Sequence, residues 1–349
     1  MTETYAISLE SIQAAAERIR GLAHRTPVLT CQTLDAMATQ ARGTEAEGDA
    51  VRMFFKCENM QKVGAFKYRG ALNAVKKALE TKGDQATSEP LTFLTHSSGN
   101  HAQAVALAAR DTNCRAVIVM PDNAPVVKRN AVQGYGAQVV TSASTVTARE
   151  EVAAEWVART NGCFVHPSDD PEVMSGQGTA SLELLEQVNE QWATTLDAVV
   201  VPVGGGGLCS GTAMAVKSVN PSIKVFGIEP AGAADAYASF KSRELRGHDT
   251  PPQTIADGLR TTLGDNNFPV IRDHVDEIVL VSEDEILSTM KLMWERMKIV
   301  VEPSGAVAAA SVLFNKLPLG DGERPIRNIG VLISGGNVDL DNLPWGVKL

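Results

Sequence analysis

Lys67 is the side chain in this sequence whose surroundings best suit covalent chemistry. It lies in the segment VGAFKYRG, residues 63–70. A lysine forms an imine with an aldehyde only through its neutral amine, which requires partial burial or nearby positive charge. The neighbouring Phe66 and Arg69 could supply both. A lysine beside a glycine is otherwise an ordinary solvated residue, so Lys67 alone does not define a site.

Four consecutive glycines form a second candidate site. They follow an apolar run at 196–203 and precede a helical pattern at 210–219. Glycines here would let backbone N–H groups surround a phosphate at the positive end of a helix. A simple strand–helix turn needs fewer glycines than four. A dinucleotide-binding loop needs a last glycine that is absent here, although Glu229 lies at the sequence distance expected of its ribose-binding acid. The pattern favours a phosphate cradle formed by Gly204, Gly205, Gly206, Gly207 and Leu208.

Two polar segments follow predicted strands. SSGNH (97–101) lies between a predicted strand at 91–95 and a predicted helix at 102–110. Its amides and hydroxyls would therefore face a cleft at the carboxyl end of a strand, where an amino acid carboxylate could bind. A serine N-cap explains one of these serines but not the whole segment. SGGN (334–337) follows an apolar run, and ordinary turn chemistry explains it equally well.

The four segments, taken in their order along the chain (63–70, 97–101, 204–207 and 334–337), resemble the serine/threonine dehydratase and serine racemase family of pyridoxal phosphate enzymes. The resemblance covers nearly the whole chain. It implies the tryptophan-synthase-β-like fold (PLP fold type II), with two parallel-sheet α/β domains and the cofactor in the cleft between them. We expect a large pyridoxal phosphate-binding domain at 1–87 and 170–349, and a small domain at 88–169 inserted into it.

The resemblance also implies roles for cofactor-binding residues. Lys67 would form the Schiff base, Asn100 would contact the phenolic oxygen, and Ser334 would contact the pyridine nitrogen. Because a serine does not hold that nitrogen protonated, the ring favours prompt loss of a β-leaving group. Glu302 would lie near the ring edge, although a charge at a helix N-terminus explains it equally well. The full cofactor set is Phe66, Lys67, Asn100, Gly204, Gly205, Gly206, Gly207, Leu208, Glu302 and Ser334.

The substrate set implied by the resemblance is Ser97, Ser98, Asn100, His101 and Arg149. Ser98 would be the second acid/base, opposite Lys67. Arg149 falls in a helix pattern that begins near residue 145, where a solvated arginine is the ordinary alternative. If it points inward, it could pair with a second substrate carboxylate. Ser168 stands where animal serine racemases have asparagine.

A cation site is expected around residues 229–235. Glu229 and Asp235 are six residues apart, a spacing that lets two carboxylates and an intervening carbonyl meet one hard cation. Two acids in a loop are usually only solvated. The resemblance implies Mg2+ (or Ca2+ or Mn2+) bound by Glu229, the Ala233 carbonyl and Asp235.

Composition limits the partners. The 349 residues carry a net charge of −9, which argues against nonspecific binding to nucleic acid or to an anionic membrane. Five scattered cysteines without CxxC spacing indicate neither a zinc site nor a disulfide framework, and fit a reducing compartment. The N-terminus has no signal-peptide pattern. We expect a cytoplasmic enzyme acting on a small amino acid and, by resemblance, a homodimer.

Short β-branched runs alternate with alanine-rich helical stretches, which is typical of a parallel sheet with crossover helices. Polar stretches at 43–49 and 81–90 are predicted loops. The predicted strands are at 53–56, 91–95, 116–120, 138–141, 198–203, 224–229, 277–281 and 328–334.

Three functions are compatible with these residues. The first choice is a dehydratase (ammonia-lyase) that eliminates water from serine, threonine or 3-hydroxyaspartate to give a 2-oxo acid and ammonia. The alternative is a serine racemase with eliminase side activity, which Ser98 supports. A remote alternative is a non-enzymatic nucleotide- or metal-binding protein, which would be colourless because it would have no Lys67 imine.

Overall fold

The computed structural model describes residues 5–43, 50–82, 90–124, 126–318 and 325–345. The predicted loops at 43–49 and 81–90 lie mostly outside these ranges, as does the predicted domain boundary between 87 and 88. Thr81 and Lys82, at the start of the second loop, belong instead to the end of a helix.

Ten strands form two separate sheets in the described ranges. They are β1 (Val28–Leu29), β2 (Arg52–Cys57), β3 (Thr92–His96), β4 (Arg115–Pro121), β5 (Gln138–Ser142), β6 (Cys163–Phe164), β7 (Ala198–Pro202), β8 (Lys224–Pro230), β9 (Glu277–Val281) and β10 (Asn328–Ile333). The larger sheet has the order β1-β2-β10-β7-β8-β9, and the smaller has the order β5-β4-β3-β6. Only β1 runs antiparallel to its neighbour; every other pair in the described sheets is parallel.

Helices connect the strands, as parallel pairing requires. They are α1 (Leu9–Ile19), α2 (Gln32–Ala41), α3 (Lys67–Lys82), α4 (Asn100–Asp111), α5 (Val126–Gly134), α6 (Val146–Thr160), α7 (Pro171–Trp192), α8 (Gly207–Val219), α9 (Asp235–Ser242), α10 (Asn267–His274), α11 (Glu283–Leu292) and α12 (Pro303–Leu313). A π-helical turn at Met293–Met297 follows α11, and short 3-10 turns occur at Glu58–Met60, Lys62–Gly64, Ala231–Ala233, Asp257–Leu259 and Leu340–Asn342.

All eight strands predicted from the sequence are present. The two that were not predicted, β1 and β6, have two residues each, which is too short for a recognisable pattern. The smaller sheet lies wholly between residues 92 and 164, within the segment assigned to the inserted domain. The domain limits themselves remain a prediction.

Both faces of the larger sheet are buried, which explains why its strands read as continuous apolar runs. One face packs against α2, α11 and α12. The other packs against α7, α8 and α10. The smaller sheet packs with α3 and α4 in a separate core.

Glycines allow α7 to approach both α3 and α8 closely. A Cβ atom added to Gly176 would lie 2.6 Å from the Cα of Gly70 on α3. A Cβ atom added to Gly211 on α8 would lie 2.7 Å from the backbone nitrogen of Gly178 on α7. Helix α3, which begins at Lys67, is therefore held against the layer of helices that covers the larger sheet.

Arg69 joins α3 to its neighbours through buried ion pairs. Its Nε donates to Glu58 Oε2 at 2.7 Å, and its terminal nitrogens donate to both oxygens of Glu183 on α7 at 2.8 Å. Lys56 Nζ donates to Glu183 Oε2 at 2.6 Å. The side chains of Arg69, Glu58 and Lys56 are fully buried, so each charge depends on its partners.

We expect Arg69→Met to lower the free energy of unfolding by about 3–5 kcal/mol, because it leaves Glu58 buried and less compensated. Urea denaturation followed by circular dichroism measures the loss. Arg20→Met is the control, since Arg20 and its partner Glu17 are both largely exposed, and the loss there should be below about 1 kcal/mol. Equal losses in the two variants would contradict this reading of the network.

Candidate active site

Lys67 is the first residue of α3 and its amine is desolvated. Nζ donates to the carbonyl of Pro167 at 2.6 Å and lies 5.0 Å from the centre of the Phe66 ring. Burial lowers the pKa of Lys67 to about 8. The expectation that Arg69 adds positive charge beside Lys67 is wrong, because Arg69 turns away to Glu58 and Glu183. Desolvation alone accounts for the lowered pKa.

The segment that precedes Lys67 lies beside the end of β10. Phe66 N donates to the carbonyl of Ser334 at 3.0 Å, and Ala65 forms an antiparallel bridge with Gly335. The Ser334 hydroxyl is buried and donates to the carbonyl of Ser304 at 3.2 Å. Two segments that are far apart in sequence, around Lys67 and around Ser334, are thus brought together.

Asn100 belongs to a hydrogen-bonded cluster at the start of α4. Its Nδ2 donates to Glu302 Oε1 at 2.9 Å, and its Oδ1 accepts from Asn337 Nδ2 at 2.9 Å. The same Nδ2 of Asn337 donates to the carbonyl of Val63 at 2.7 Å. The sequence indicates Asn337 only as part of a turn motif, because its hydrogen-bond partners are distant in sequence. The cluster fixes the orientation of the Asn100 amide.

Glu302 is buried and precedes α12, but its side chain does not cap that helix. It accepts instead from Asn100 Nδ2 and from Asn337 N. Burial, aided by the nearby Asp257, raises the pKa of Glu302 to about 7. The helix-charge explanation therefore does not account for this residue.

Ser97 and Ser98 follow β3 and differ in their bonding. The Ser97 hydroxyl accepts from Gly99 N at 3.3 Å, which closes a turn. The Ser98 side chain is half-buried, and its hydroxyl makes no hydrogen bond to any residue in the described ranges. The Ser98 hydroxyl is free both to donate to and to accept from a bound molecule, whereas the Ser97 hydroxyl keeps its proton for donation.

His101 is the second residue of α4, and its side chain is buried. Its Nε2 lies 3.1 Å from the carbonyl of Val165, while Nδ1 is buried without a partner in the described part of the chain. Burial lowers the pKa of His101 well below its ordinary value, and the Lys67 charge lowers it further. A neutral ring that donates through Nε2 leaves Nδ1 as a hydrogen-bond acceptor.

Arg149 lies in the first turn of α6, whose N-cap is Thr145, as the sequence indicates. Its side chain is half-buried, and Nε donates weakly to the carbonyl of Thr145 at 3.4 Å. No carboxylate in the described ranges pairs with it. Its charge helps burial to lower the pKa of His96, the residue before Ser97. Arg149 therefore lies close enough to His96, beside the Ser97–Ser98 turn, for its charge to act on that residue.

The glycine run joins β7 to α8, which begins at Gly207, three residues earlier than predicted. Gly206 has a φ of 93°, in the left-handed region that glycine tolerates. All four glycines and Leu208 are buried. A Cβ atom at Gly205 would lie 2.3 Å from the Ser168 hydroxyl oxygen. Side chains are thus excluded from a cradle at the N-terminus of a helix, which suits a phosphate.

Ser168 is a site residue that the sequence reasoning did not identify. Its hydroxyl is buried and has no partner in the described part of the chain. Its neighbour Pro167 accepts the hydrogen bond of Lys67, so these two residues lie between the lysine and the glycine cradle. The signal that the sequence offered for Ser168 was that animal serine racemases have asparagine at this position.

The expected cation ligands lie around the N-terminus of α9. The two carboxylate oxygens of Glu229 accept from Ala236 N at 3.0 Å and Tyr237 N at 2.8 Å. Asp235 Oδ2 accepts from Leu263 N at 2.7 Å, whereas Oδ1 is buried without a hydrogen bond. Burial raises the pKa of Glu229 well above its ordinary value, and Asp235 raises it further. No three His, Cys, Asp or Glu side chains in the described ranges form a ready-made metal cage.

A desolvated lysine near a glycine cradle, carried by parallel α/β sheets, is the site expected of a fold type II pyridoxal phosphate enzyme. The chain belongs to the pyridoxal-phosphate dependent enzyme family, whose pattern matches residues 19–335. The family and the fold predicted from the sequence are confirmed, and family membership argues against a non-enzymatic protein.

The comparisons with individual proteins agree with this assignment. The chain is 45% identical to serine racemase of Dictyostelium discoideum over 97% of each chain, and 45% identical to serine racemase of Arabidopsis thaliana over 98% of this chain and 96% of the other. The structure of maize serine racemase gives a TM-score of 0.86 at 42% identity, covering 96% of this chain and 95% of the other.

Two further solved structures carry other activities in their names. A threonine deaminase from T.th. gives a TM-score of 0.84 at 40% identity and covers 96% of this chain and 100% of the other. A pyridoxal 5'-phosphate-dependent aspartate racemase gives 0.87 at 34% identity, with 99% and 100% coverage. Taken together, the comparisons favour the racemase over the dehydratase, because the serine racemases are the relatives with the higher identity to this chain. The sequence alone places the dehydratase first and the racemase second.

Within the described residues, no helix combines the length and apolar character needed to cross a membrane.

We expect the rate at which cofactor-free protein recombines with pyridoxal phosphate to depend on the neutral form of Lys67. Because burial lowers the pKa of Lys67 to about 8, the rate should rise about tenfold per pH unit below pH 8 and level off above it. Stopped-flow absorbance in the violet measures the rate. A rate that still rises steeply between pH 9 and 10 would mean an ordinary, solvated lysine.

Proposed function

We propose that this protein is a pyridoxal phosphate-dependent amino acid racemase that acts on serine. The observation that carries the proposal is the 45% identity to a serine racemase over 97% of the chain. An amine and a hydroxyl suited to the two proton transfers, those of Lys67 and Ser98, support it. Racemisation needs two groups that reach the α carbon from opposite faces.

The residues present fit the cofactor. The buried Ser168 hydroxyl lacks a partner in the described part of the chain, and the glycine cradle has no room for side chains. Bound pyridoxal phosphate would serve as an electron sink that makes the α proton of an amino acid acidic. The residues proposed to hold it are Phe66, Lys67, Asn100, Ser168, Gly204, Gly205, Gly206, Gly207, Leu208, Glu302 and Ser334.

Lys67 is assigned to proton transfer on one face of the substrate. An amine whose pKa is about 8 can accept a proton and return it near neutral pH, because neither form is strongly favoured. The Pro167 carbonyl, 2.6 Å from Nζ, holds the amine at a fixed position. The Phe66 ring beside it excludes water from one side.

Ser98 is assigned to proton transfer on the other face. Its hydroxyl has no hydrogen bond in the described ranges, so it is available to donate or accept a proton at the substrate. The adjacent backbone and Ser97 are proposed to bind the substrate carboxylate, whereas His101 Nδ1, as an acceptor, suits a donor group of the substrate. Asn100 is held by Glu302 and Asn337, so it would present one orientation to the cofactor.

Ser98→Ala should stop α-proton exchange for one serine enantiomer and preserve it for the other, since only one face loses its acid/base. Interconversion of the enantiomers should fall about 100- to 10,000-fold. Deuterium incorporation from heavy water, followed by proton NMR on L-serine and D-serine separately, measures the exchange. Chiral chromatography measures interconversion.

Ser97→Ala is the matched control, because Ser97 precedes Ser98 and its hydroxyl closes a turn. This variant should raise KM while both enantiomers still exchange. If Ser98→Ala exchanged both enantiomers at the rate of the unmodified protein, Ser98 would not be the second acid/base.

Elimination of water from a β-hydroxy amino acid is the second candidate function. It is supported by the 40% identity to threonine deaminase and by the serine at position 334, which is expected to favour loss of a β-leaving group. The guanidinium of Arg149, which no carboxylate in the described ranges pairs with, suggests a substrate with a second carboxylate, such as 3-hydroxyaspartate. The likeness to an aspartate racemase agrees with such a substrate.

Arg149→Met should lower kcat/KM for 3-hydroxyaspartate about 10- to 100-fold, by loss of a charged hydrogen bond, and change that for serine less than about threefold. Keto acid release, measured on each substrate, tests this. Arg159→Met is the control, since Arg159 lies at the far end of the same helix and stacks on Trp156. A similar loss on both substrates would remove the argument for a dicarboxylic substrate.

A divalent cation at Glu229, the Ala233 carbonyl and Asp235 is also part of the proposal. The buried, unbonded Oδ1 of Asp235 and the mutual repulsion of the two acids fit a bound cation. A homodimer and a cytoplasmic location, both expected from the sequence, remain predictions.

A further inference from the structure

One histidine turns inward from an otherwise exposed segment next to Asp235. Residues 243–250 follow α9, and all of them except His248 are exposed. The His248 side chain is 13% exposed, and its Nε2 lies 3.1 Å from Asp235 Oδ1, on a side chain that is fully buried. The segment therefore places a nitrogen ligand directly beside one of the two acids.

The two facing atoms are the ones left without hydrogen bonds. Asp235 Oδ2 accepts from Leu263 N, and both Glu229 oxygens accept from backbone amides. Asp235 Oδ1 and His248 Nε2 are both buried and lie at ion-pair distance, 3.1 Å, but neither makes a hydrogen bond with the other or with any described residue. Buried polar atoms rarely stay without a hydrogen-bond partner, and a cation to one side of the pair, within coordination distance of both atoms, would satisfy them.

We propose that His248 Nε2 and Asp235 Oδ1 jointly bind the divalent cation, so that the site takes a transition-metal ion such as Mn2+ in preference to Ca2+. This goes beyond the oxygen-only set of Glu229, Ala233 and Asp235, and it rests on the cation part of the proposed function.

The ligand chemistry supports the choice of ion. Ca2+ takes six to eight oxygen ligands, whereas imidazole nitrogen suits transition metals. Because no three-residue cage exists in the described ranges, water would complete the coordination around the His248 and Asp235 donors, as it commonly does for small divalent ions. The absence of a full protein cage is therefore compatible with binding.

The site is mechanically joined to the glycine cradle. Leu263 N bonds to Asp235 Oδ2, and a Cβ atom at Gly206 would lie 2.6 Å from Leu263 Cδ1. The next residue, Gly264, donates from its N to the carbonyl of Gly205 at 3.3 Å. A cation that fixes Asp235 would hold Leu263 and Gly264 against the cradle, and so tighten cofactor binding.

The test uses holoenzyme stripped of metal by a chelator and titrated with Mn2+ alone. Pulsed EPR detects the nitrogen of a directly bound imidazole, and the EPR signal of free Mn2+ gives Kd. We expect a nitrogen coupling in the unmodified protein that is lost in His248→Asn and in His248→Ala. We expect Kd for Mn2+ to rise about 10- to 100-fold in both, and Kd for Ca2+ by less than about threefold.

His274→Ala is the control, since His274 also has a buried, unbonded Nε2 but lies elsewhere; it should keep the nitrogen coupling. Asp235→Asn should abolish Mn2+ binding at this site. Mn2+ binding that depends on Asp235 but shows no nitrogen coupling would overturn the role of His248 and leave the oxygen site. If no Mn2+ binding depends on Asp235, both the role of His248 and the oxygen site are overturned. The Ser98→Ala experiment tests the racemase proposal separately.

Discussion

The burial of Arg69 between Glu58 and Glu183 is the constraint on which the site depends. The buried Glu58 and the partly buried Glu183 both pair with this cation, and one guanidinium can bind both because its five N–H groups are held in a rigid plane. Arg69 lies two residues after Lys67, so the same contacts that neutralise the interior fix the first turn of α3. The ion pairs are weak evidence for stability in themselves, since desolvation offsets much of their attraction. Their effect is to hold one geometry.

With α3 fixed, the site draws residues from both sheets. Ser98 and Asn100 follow a strand of the smaller sheet, whereas Ser334 and the glycine cradle follow strands of the larger one. Carboxyl ends of parallel strands gather polar loop residues at one edge, so two such edges can enclose a small substrate. The Asn100–Glu302 hydrogen bond at 2.9 Å joins the start of α4, beside the smaller sheet, to the start of α12, beside the larger one. Neither sheet alone carries the complete set.

The main elements could be predicted because parallel strands buried on both faces have a plain apolar signal, and α4, α6 and α8 follow recognisable helix patterns. Local patterns cannot supply long-range contacts. Arg69 was placed beside Lys67 because the two are close in sequence, yet its partners are on other elements. Asn337, Ser168 and His248 were missed as site residues for the same reason: their significance lies in what they face. One set of residues serves both the dehydratase and the racemase reaction, so the residues alone do not rank the two, whereas whole-chain likeness favours the racemase.

The same residues can serve racemisation and elimination because both begin with removal of the α proton. The outcome then depends on whether a second group returns a proton to the opposite face before the β-hydroxyl leaves. In the proposed role of Ser98, its unbonded hydroxyl returns that proton, which favours racemisation. The unbonded His101 Nδ1, a hydrogen-bond acceptor, would instead accept from the substrate's β-hydroxyl and hold it away from the leaving geometry. The balance between the two reactions would then rest on the substrate's orientation rather than on a different catalytic group.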